Sequence, residues 1–498
     1  MRVMLAAFFL FSACFVQVTA GADTVLTAQE IRNKAAAAAG AEPFNYRETI
    51  VGTGPFGESK SVIFRGGKNV RRTYDRGALH SESGTFHGDD WEQTENGLTL
   101  VVPDDPGKAK TEYITTTITH VTAPFDAYVI SETNPRAAGT RSYYDSTTFQ
   151  RRRIEEFGAG GTTVTNYDDF GQFGTRTLPK RWTVGTAHYE RTEYVAGGTT
   201  DADVVPPATR RQLVEFPSGV RSADLPLTVV DHSVYVRVTI GSRTVDFKLD
   251  TGASGIVISP ELARDLALPL EDKTDVLIAK RTTIARAIVP DIGIGPLHMH
   301  NIMVDVTPLP TFTDYGVKMY GLLGFDFLAQ LGVTLDYSRK MLHVVPAADY
   351  APPTDPSTLA LDVRLGHRVP MLTITVGDAV AERMVLDSGS DFELDFFDYF
   401  SRRYPKAFKD EVGKVRASGI GGRPFEAPLF TLHDVGIGRL HFQDFYAAEF
   451  PSTTYERMDA DGLVGGAMME LFTVGLDYTN GRIYLTPRDM TKRALQDK

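Results

Sequence analysis

Two stretches of this chain set an acid, a hydroxyl and a glycine inside an apolar frame. The first is Phe247-Lys248-Leu249-Asp250-Thr251-Gly252-Ala253-Ser254-Gly255-Ile256-Val257, and the second is Met384-Val385-Leu386-Asp387-Ser388-Gly389-Ser390. Apolar residues flanking a small polar turn clamp it between buried strands and leave its carboxylate at the tip. Two carboxylates held about 3 Å apart cannot both ionise easily, so such a pair keeps one proton over a wide pH interval. The ionised member can then act as base toward a water, while the protonated member polarises a carbonyl. Asp250 and Asp387 are therefore expected to face each other and share one water. Gly252 and Gly389 fit turns that approach closely, and Ser254 and Ser390 are placed to steady their own loops.

The elements that would position these turns occur twice. Val236-Arg237-Val238-Thr239-Ile240-Gly241 returns as Leu372-Thr373-Ile374-Thr375-Val376-Gly377. Asp291-Ile292-Gly293-Ile294-Gly295 returns as Asp434-Val435-Gly436-Ile437-Gly438, Gly321-Leu322-Leu323-Gly324 as Gly462-Leu463-Val464-Gly465, and Val333-Thr334-Leu335-Asp336-Tyr337 as Val474-Gly475-Leu476-Asp477-Tyr478. The displacements of the acid turn and the next two blocks, 137, 143 and 141 residues, are nearly constant. The chain thus carries two copies of one fold, over residues 222–348 and 357–488. Neither copy is a solenoid unit, since solenoid repeats are shorter and more numerous.

Each copy reads as mostly strand. Val236 to Ile240 alternates like a half-buried strand, and Ser259-Pro260-Glu261-Leu262 supplies a capping residue and a first-turn proline for a short helix to about Ala267. Tyr478-Thr479-Asn480-Gly481 makes a hairpin turn before Arg482 to Thr486. The fold class is mainly β, with two lobes packed about a pseudo-twofold axis and a β-rich domain before them.

With their distal apolar-Gly blocks, the Asp-Thr-Gly-Ala-Ser and Asp-Ser-Gly-Ser turns resemble those of aspartic peptidases, particularly the retropepsin-like proteases of bacteria. The resemblance covers about Leu225 to Pro487 and implies a bilobal acid-protease fold in which each lobe gives one aspartate. It also implies that Thr251 and Ser388 bond across the turns and hold the carboxylates coplanar, and that Gly324 and Gly465 lie beneath them. A mobile flap that holds peptide as an added strand is expected at Gly419, Ile420, Gly421 and Gly422. The matching part of the first copy, Ala279 to Ala285, has no glycine, so a single closing flap is expected.

Other chemistries find little footing. The sequence contains no Gly-x-Ser-x-Gly elbow and no His-Glu-x-x-His helix. His298 and His441 occupy equivalent places and His300 lies near the first, but two histidines on one strand lack evident further ligands. No metal or other cofactor is expected.

At 498 residues the chain is too long for one core. A formal net charge of -11 argues against binding nucleic acid through its phosphates. Arg2 followed by an apolar run to Val18 and by Val18-Thr19-Ala20 reads as an export signal over residues 1–20. The one cysteine, Cys14, lies within it; cleavage after Ala20 is favoured over a lipid anchor at Cys14 and leaves no thiol. No later stretch reads as a transmembrane span.

Over residues 21–43, Thr27 and Glu30 have capping-box spacing before an alanine-rich helix from about Ala28 to Ala39, with Leu26 as staple. Residues 44–216 are rich in threonine, tyrosine, valine and glycine, the pattern of a domain of hairpins. Within it Asp89-Asp90-Trp91-Glu92 reads as an exposed loop anchored by Trp91, and Arg151-Arg152-Arg153 as a solvated strand edge. This domain is open to three roles: binding a ligand, holding the rest inactive, or positioning substrate. The resulting expectation is an exported, monomeric aspartic endopeptidase acting on peptides or proteins in the periplasm or outside the cell. The alternative is an inactive protein that keeps the fold and binds peptide, lipid or glycan.

Overall fold

A computed structural model describes residues 26–102, 115–134, 138–158, 161–278, 280–310, 316–419, 424–451, 460–489 and 491. The export-signal segment lies outside the described residues, as do Ile420, Gly421 and Gly422 of the expected flap. The chain is mainly β, and among the described residues its strands form three sheets.

Thirteen strands between Asn45 and Ala196 make one antiparallel sheet. Its first and last strands, Asn45–Gly54 and Ala187–Ala196, pair in the middle of the sheet, with Tyr46 opposite Ala196. Successive hairpins carry the chain out to one edge at Thr99–Val102, and it returns from the other edge at Thr115–Val121. The helix Ala28–Ala39 packs on this sheet through Ile31, which meets Ile130 and Tyr144. The Thr27 amide donates to Glu30 Oε2 at 2.7 Å and the Glu30 amide donates to Thr27 Oγ1 at 3.2 Å, satisfying two amides that a bare helix end would leave unpaired.

Two local expectations change here. Asp89–Gln93 is a strand and not an exposed loop: it pairs on both sides, its alternation buries Trp91, and Glu92 is held by Arg368 of the distant second lobe. Arg151–Gly158 lies between two partner strands and so is no edge. The three guanidiniums lie over rings instead, Arg152 over Phe125 at 5.2 Å, Arg153 over Tyr143 at 5.7 Å and Arg151 over Tyr167 at 5.9 Å.

The two lobes repeat one topology. In the first, Arg243–Leu249 runs parallel to Met319–Leu323, which pairs antiparallel with Val257–Ile258. In the second, Ala379–Asp387 runs parallel to Gly462–Gly465, which pairs antiparallel with Leu394–Phe397. A short helix, Pro260–Asp265, follows the first turn, its start fixed by the Leu262 amide donating to Ser259 Oγ at 3.1 Å. The lobes join by a strand pair: Leu331–Asp336 lies antiparallel to Phe472–Asp477, with Val333 opposite Leu476, Thr334 opposite Gly475 and Leu335 opposite Val474. Thr334 and Gly475 are equivalent positions of the two copies, so the pseudo-twofold axis passes between them.

The N-terminal sheet touches the lobes through the turn at Thr94–Leu98. Asn96 donates from Nδ2 to the Met303 carbonyl at 3.0 Å and accepts from the Met303 amide at 2.9 Å, both in the first lobe. Leu98 belongs to the same buried core as Leu213 and the lobe strands.

Candidate active site

Asp250 and Asp387 stand at the ends of the parallel strand pairs just described, where a strand buried on both faces gives way to a turn. The Asp250 amide donates to the Leu323 carbonyl at 3.0 Å, and Asp387 pairs in register with Gly465. Each apolar-Gly block thus lies under its acid turn. A Cβ on Gly324 would meet the Ala253 and Gly255 carbonyls at 2.4 Å, and one on Gly465 would meet the Phe392 carbonyl at 2.1 Å. Only glycine permits that crossing.

Four hydrogen bonds lock the turns to each other. Thr251 Oγ1 donates to the Leu386 carbonyl at 2.6 Å and accepts from the Ser388 amide at 2.9 Å. Ser388 Oγ donates to the Leu249 carbonyl at 2.7 Å and accepts from the Thr251 amide at 3.1 Å. Both hydroxyls are buried, so each bond replaces one that water would have made. The lattice brings the acids together. The carboxyls hydrogen-bond each other, and each accepts from the glycine amide two residues on, Gly252 to Asp250 at 2.9 Å and Gly389 to Asp387 at 2.8 Å. A Cβ on Gly252 would fall 2.6 Å from the Asp387 carboxyl carbon, and one on Gly389 would fall 2.7 Å from that of Asp250.

Electrostatics at the pair follow from burial. Loss of water raises the pKa of both carboxyls; Asp250 goes well above its usual range, helped by the adjacent Asp387 charge, while the Gly389 amide restrains Asp387. Ionising both carboxyls together is therefore costly. Neither acid forms an ion pair among the described residues. Lys248 is buried, and its Nζ donates to the Gly389 carbonyl at 2.6 Å and to Asp391 Oδ1 at 3.0 Å, both on the opposite lobe. Its charge nonetheless draws both carboxyl pKa values downward.

The remaining expected residues scatter. Ser390 Oγ donates to Asp395 Oδ2 at 2.7 Å and accepts weakly from the Phe392 amide at 3.4 Å, bracing its own loop. Ser254 is exposed and lines a cavity of about 290 Å³ between the N-terminal turn and the first lobe. Gly419 borders a cleft of about 540 Å³ that contains both aspartates, together with Val415, Arg416 and Phe450. In the second lobe Glu411–Ala417 and Phe425–Ile437 form a hairpin that lines this cleft with Val415, Arg416 and Ala417; the corresponding first-lobe hairpin is Glu271–Ile278 with Lys280–Ile294.

Several residues near the pair escaped the sequence reading. Lys248 interrupts an apolar run two positions before its aspartate, where the second copy has Val385, and that break was the available signal. Asp395 is buried with its pKa raised well above the carboxylate range by desolvation. Tyr478, whose buried hydroxyl has no hydrogen-bond partner among the described residues, has its pKa pushed up by burial and by the charges of Asp250 and Asp387. Behind the first turn, Asp326 Oδ2 accepts from Asn96 Nδ2 at 3.0 Å, and burial lifts its pKa to about 7.

Comparison with known proteins bears on the first lobe. Residues 236–327, holding the first turn and its apolar-Gly block, match the model of a family described as aspartyl protease. Support for an aspartyl protease-like family is therefore partial and lies in the first lobe. Among solved structures, an aspartic proteinase from Irpex lacteus is similar over 55% of this chain and 99% of its own, with 14% identity and a TM-score of 0.36. A LolA superfamily protein from Nitrosomonas europaea is similar over 36% of this chain and 98% of its own, with 13% identity and a TM-score of 0.29. Comparison with curated proteins yields no match.

Proposed function

We propose that this chain is an exported aspartic endopeptidase in which a water held between Asp250 and Asp387 attacks a peptide bond. The observation that carries the reading is the hydrogen-bonded contact of two buried carboxyls from separate lobes, fixed by the reciprocal Thr251 and Ser388 bonds. The ionised carboxylate takes a proton from the water as it adds to the scissile carbonyl, and the protonated one donates to the carbonyl oxygen. A proton returned to the leaving nitrogen completes the cleavage. No covalent intermediate and no cofactor is needed.

The cleft suits an extended peptide. Its apolar wall of Met319, Leu322, Phe392, Phe450 and Leu463 can take side chains, and the strand Glu411–Ala417 beside Gly419 offers an edge for an added strand. Export rests on the apolar leader at residues 1–20. The test is direct: Asp250→Asn and Asp387→Asn should each abolish cleavage of an unfolded protein substrate by the full chain while leaving its fold intact. Cleavage that survives either substitution would overturn the reading, and an unaltered chain that binds the substrate without cutting it would be a peptide-binding protein instead.

A further inference from the structure

We propose that Asp291, His298 and His300, on the outer face of the first lobe, form a binding site for a borderline divalent cation, zinc above all. The three lie on neighbouring antiparallel strands, with Asp291 directly opposite His300 and His298 two residues along the same face. Ile292 and Met299 between them are fully buried, so the pleat turns all three side chains outward. Nδ1 of His298 and Nδ1 of His300 each stand 3.0 Å from the same atom, Asp291 Oδ1. The imidazoles are stacked, 5.8 Å between centroids and 14° between planes, so they face the carboxylate side by side. One donor atom from each residue lies within 4.8 Å of the others, the only such group of three among the described residues.

These separations suit a metal. A tetrahedral ion with bonds of about 2.0–2.1 Å needs donors about 3.3 Å apart, a slight widening of the two 3.0 Å separations between Asp291 Oδ1 and the imidazole nitrogens. Two imidazole nitrogens and one carboxylate oxygen favour zinc, copper or nickel over calcium or magnesium, which prefer all-oxygen shells. The outer contacts fit as well. Glu215, on the segment that leads from the N-terminal domain, places Oε2 3.9 Å from Nε2 of His300, the nitrogen left over when Nδ1 binds. A carboxylate at the far nitrogen is the usual means of orienting a metal-bound imidazole. Glu215 is itself held to this strand, its amide donating to the His298 carbonyl at 2.8 Å and its carbonyl accepting from the His298 amide at 3.1 Å. An ion here would pin that connecting segment to the lobe.

The second lobe supplies a control. Its equivalent pair, Asp434 and His441, is 3.2 Å apart, but Gln443 stands where the first lobe has His300. Two ligands without the third should bind far more weakly.

The experiment uses the full chain, freed of affinity tags and stripped with a chelator, titrated with zinc chloride by calorimetry and with cobalt(II) by visible absorption. One zinc per chain is expected, with cobalt bands of a low-coordinate site. His298→Ala with His300→Ala should weaken binding at least ~10-fold, whereas His441→Ala should leave it unchanged. Circular dichroism establishes that each variant is folded. Absence of stoichiometric zinc binding by the unaltered chain, or binding that survives the double substitution, would overturn the proposal. The readout is independent of peptide cleavage, so its outcome does not depend on the protease reading.

Discussion

Lys248 of the first lobe reaches across the cleft floor and ends on Asp391 of the second, Nζ to Oδ1 at 3.0 Å, within the field of both central carboxyls. An ammonium so placed stabilises negative charge on the pair, and its loss must raise both pKa values. Lys248→Met is therefore expected to move both limbs of the pH–rate profile of peptide cleavage to higher pH. An unshifted profile would show that the charge does not reach the pair.

The reciprocal hydroxyl lattice is expected to contribute stability as well as geometry. Thr251→Ala removes one buried donor and leaves the Ser388 amide and the Leu386 carbonyl without their partner, at a cost of about 1–3 kcal/mol in chemical denaturation. Thr251→Ser keeps the hydroxyl and should restore most of the loss. If serine and alanine behave alike, the methyl group and not the hydrogen bonds accounts for the position.

Gly252→Ala and Gly389→Ala test how closely the turns must approach. Each added methyl falls on the opposite carboxyl, so the acids must move apart. A displacement of about 1 Å at a reacting centre is commonly worth about 100-fold in rate, and kcat should fall at least that far while the protein stays folded. Unchanged kcat in either variant would mean that the acids do not act as a touching pair.

The junction with the N-terminal domain should be sensitive to pH. Asp326 faces Asn96 and lies within the fields of Arg368, Glu95 and Asp305. Its folded pKa of about 7 lies above the unfolded value of 3.8, so folding favours the protonated acid. Stability contributed by that proton is full below the unfolded pKa and declines as pH rises toward 7, by up to about 4 kcal/mol. Asp326→Asn keeps an acceptor for Asn96 and carries no charge, so it should flatten this part of the stability profile and make the protein more stable than the unaltered chain above neutral pH. Urea midpoints measured across this range decide the matter; parallel curves would show that Asp326 titrates normally.

Legibility in the sequence followed distance along the chain. The helix start at Thr27 and Glu30, the cap at Ser259 and the turn before Arg482 were readable because each depends on residues within three or four positions. The two lobes were readable because duplication writes the same local pattern twice. Asp250 and Asp387 stood out for that reason, and the structure sets them in contact. Lys248 with Asp391, Asn96 with Asp326, and Glu92 with Arg368 depend on registers and dockings that join residues 143, 230 and 276 positions apart, which no local pattern records. Asp291 escaped as a partner of His298 and His300 for the same reason, since only cross-strand register sets it opposite them.

The strand pair that sets Thr334 against Gly475 also decides how the molecule responds to dilution. Were the halves separate subunits, thinning the solution would pull the carboxyls apart and extinguish activity, and each half would be obliged to carry the same residues. Here both are tethered in one polypeptide and laced by a backbone ladder, so activity per molecule is expected to be independent of concentration. That same tether releases the halves from identity, which is why one can place a lysine where the other keeps Val385.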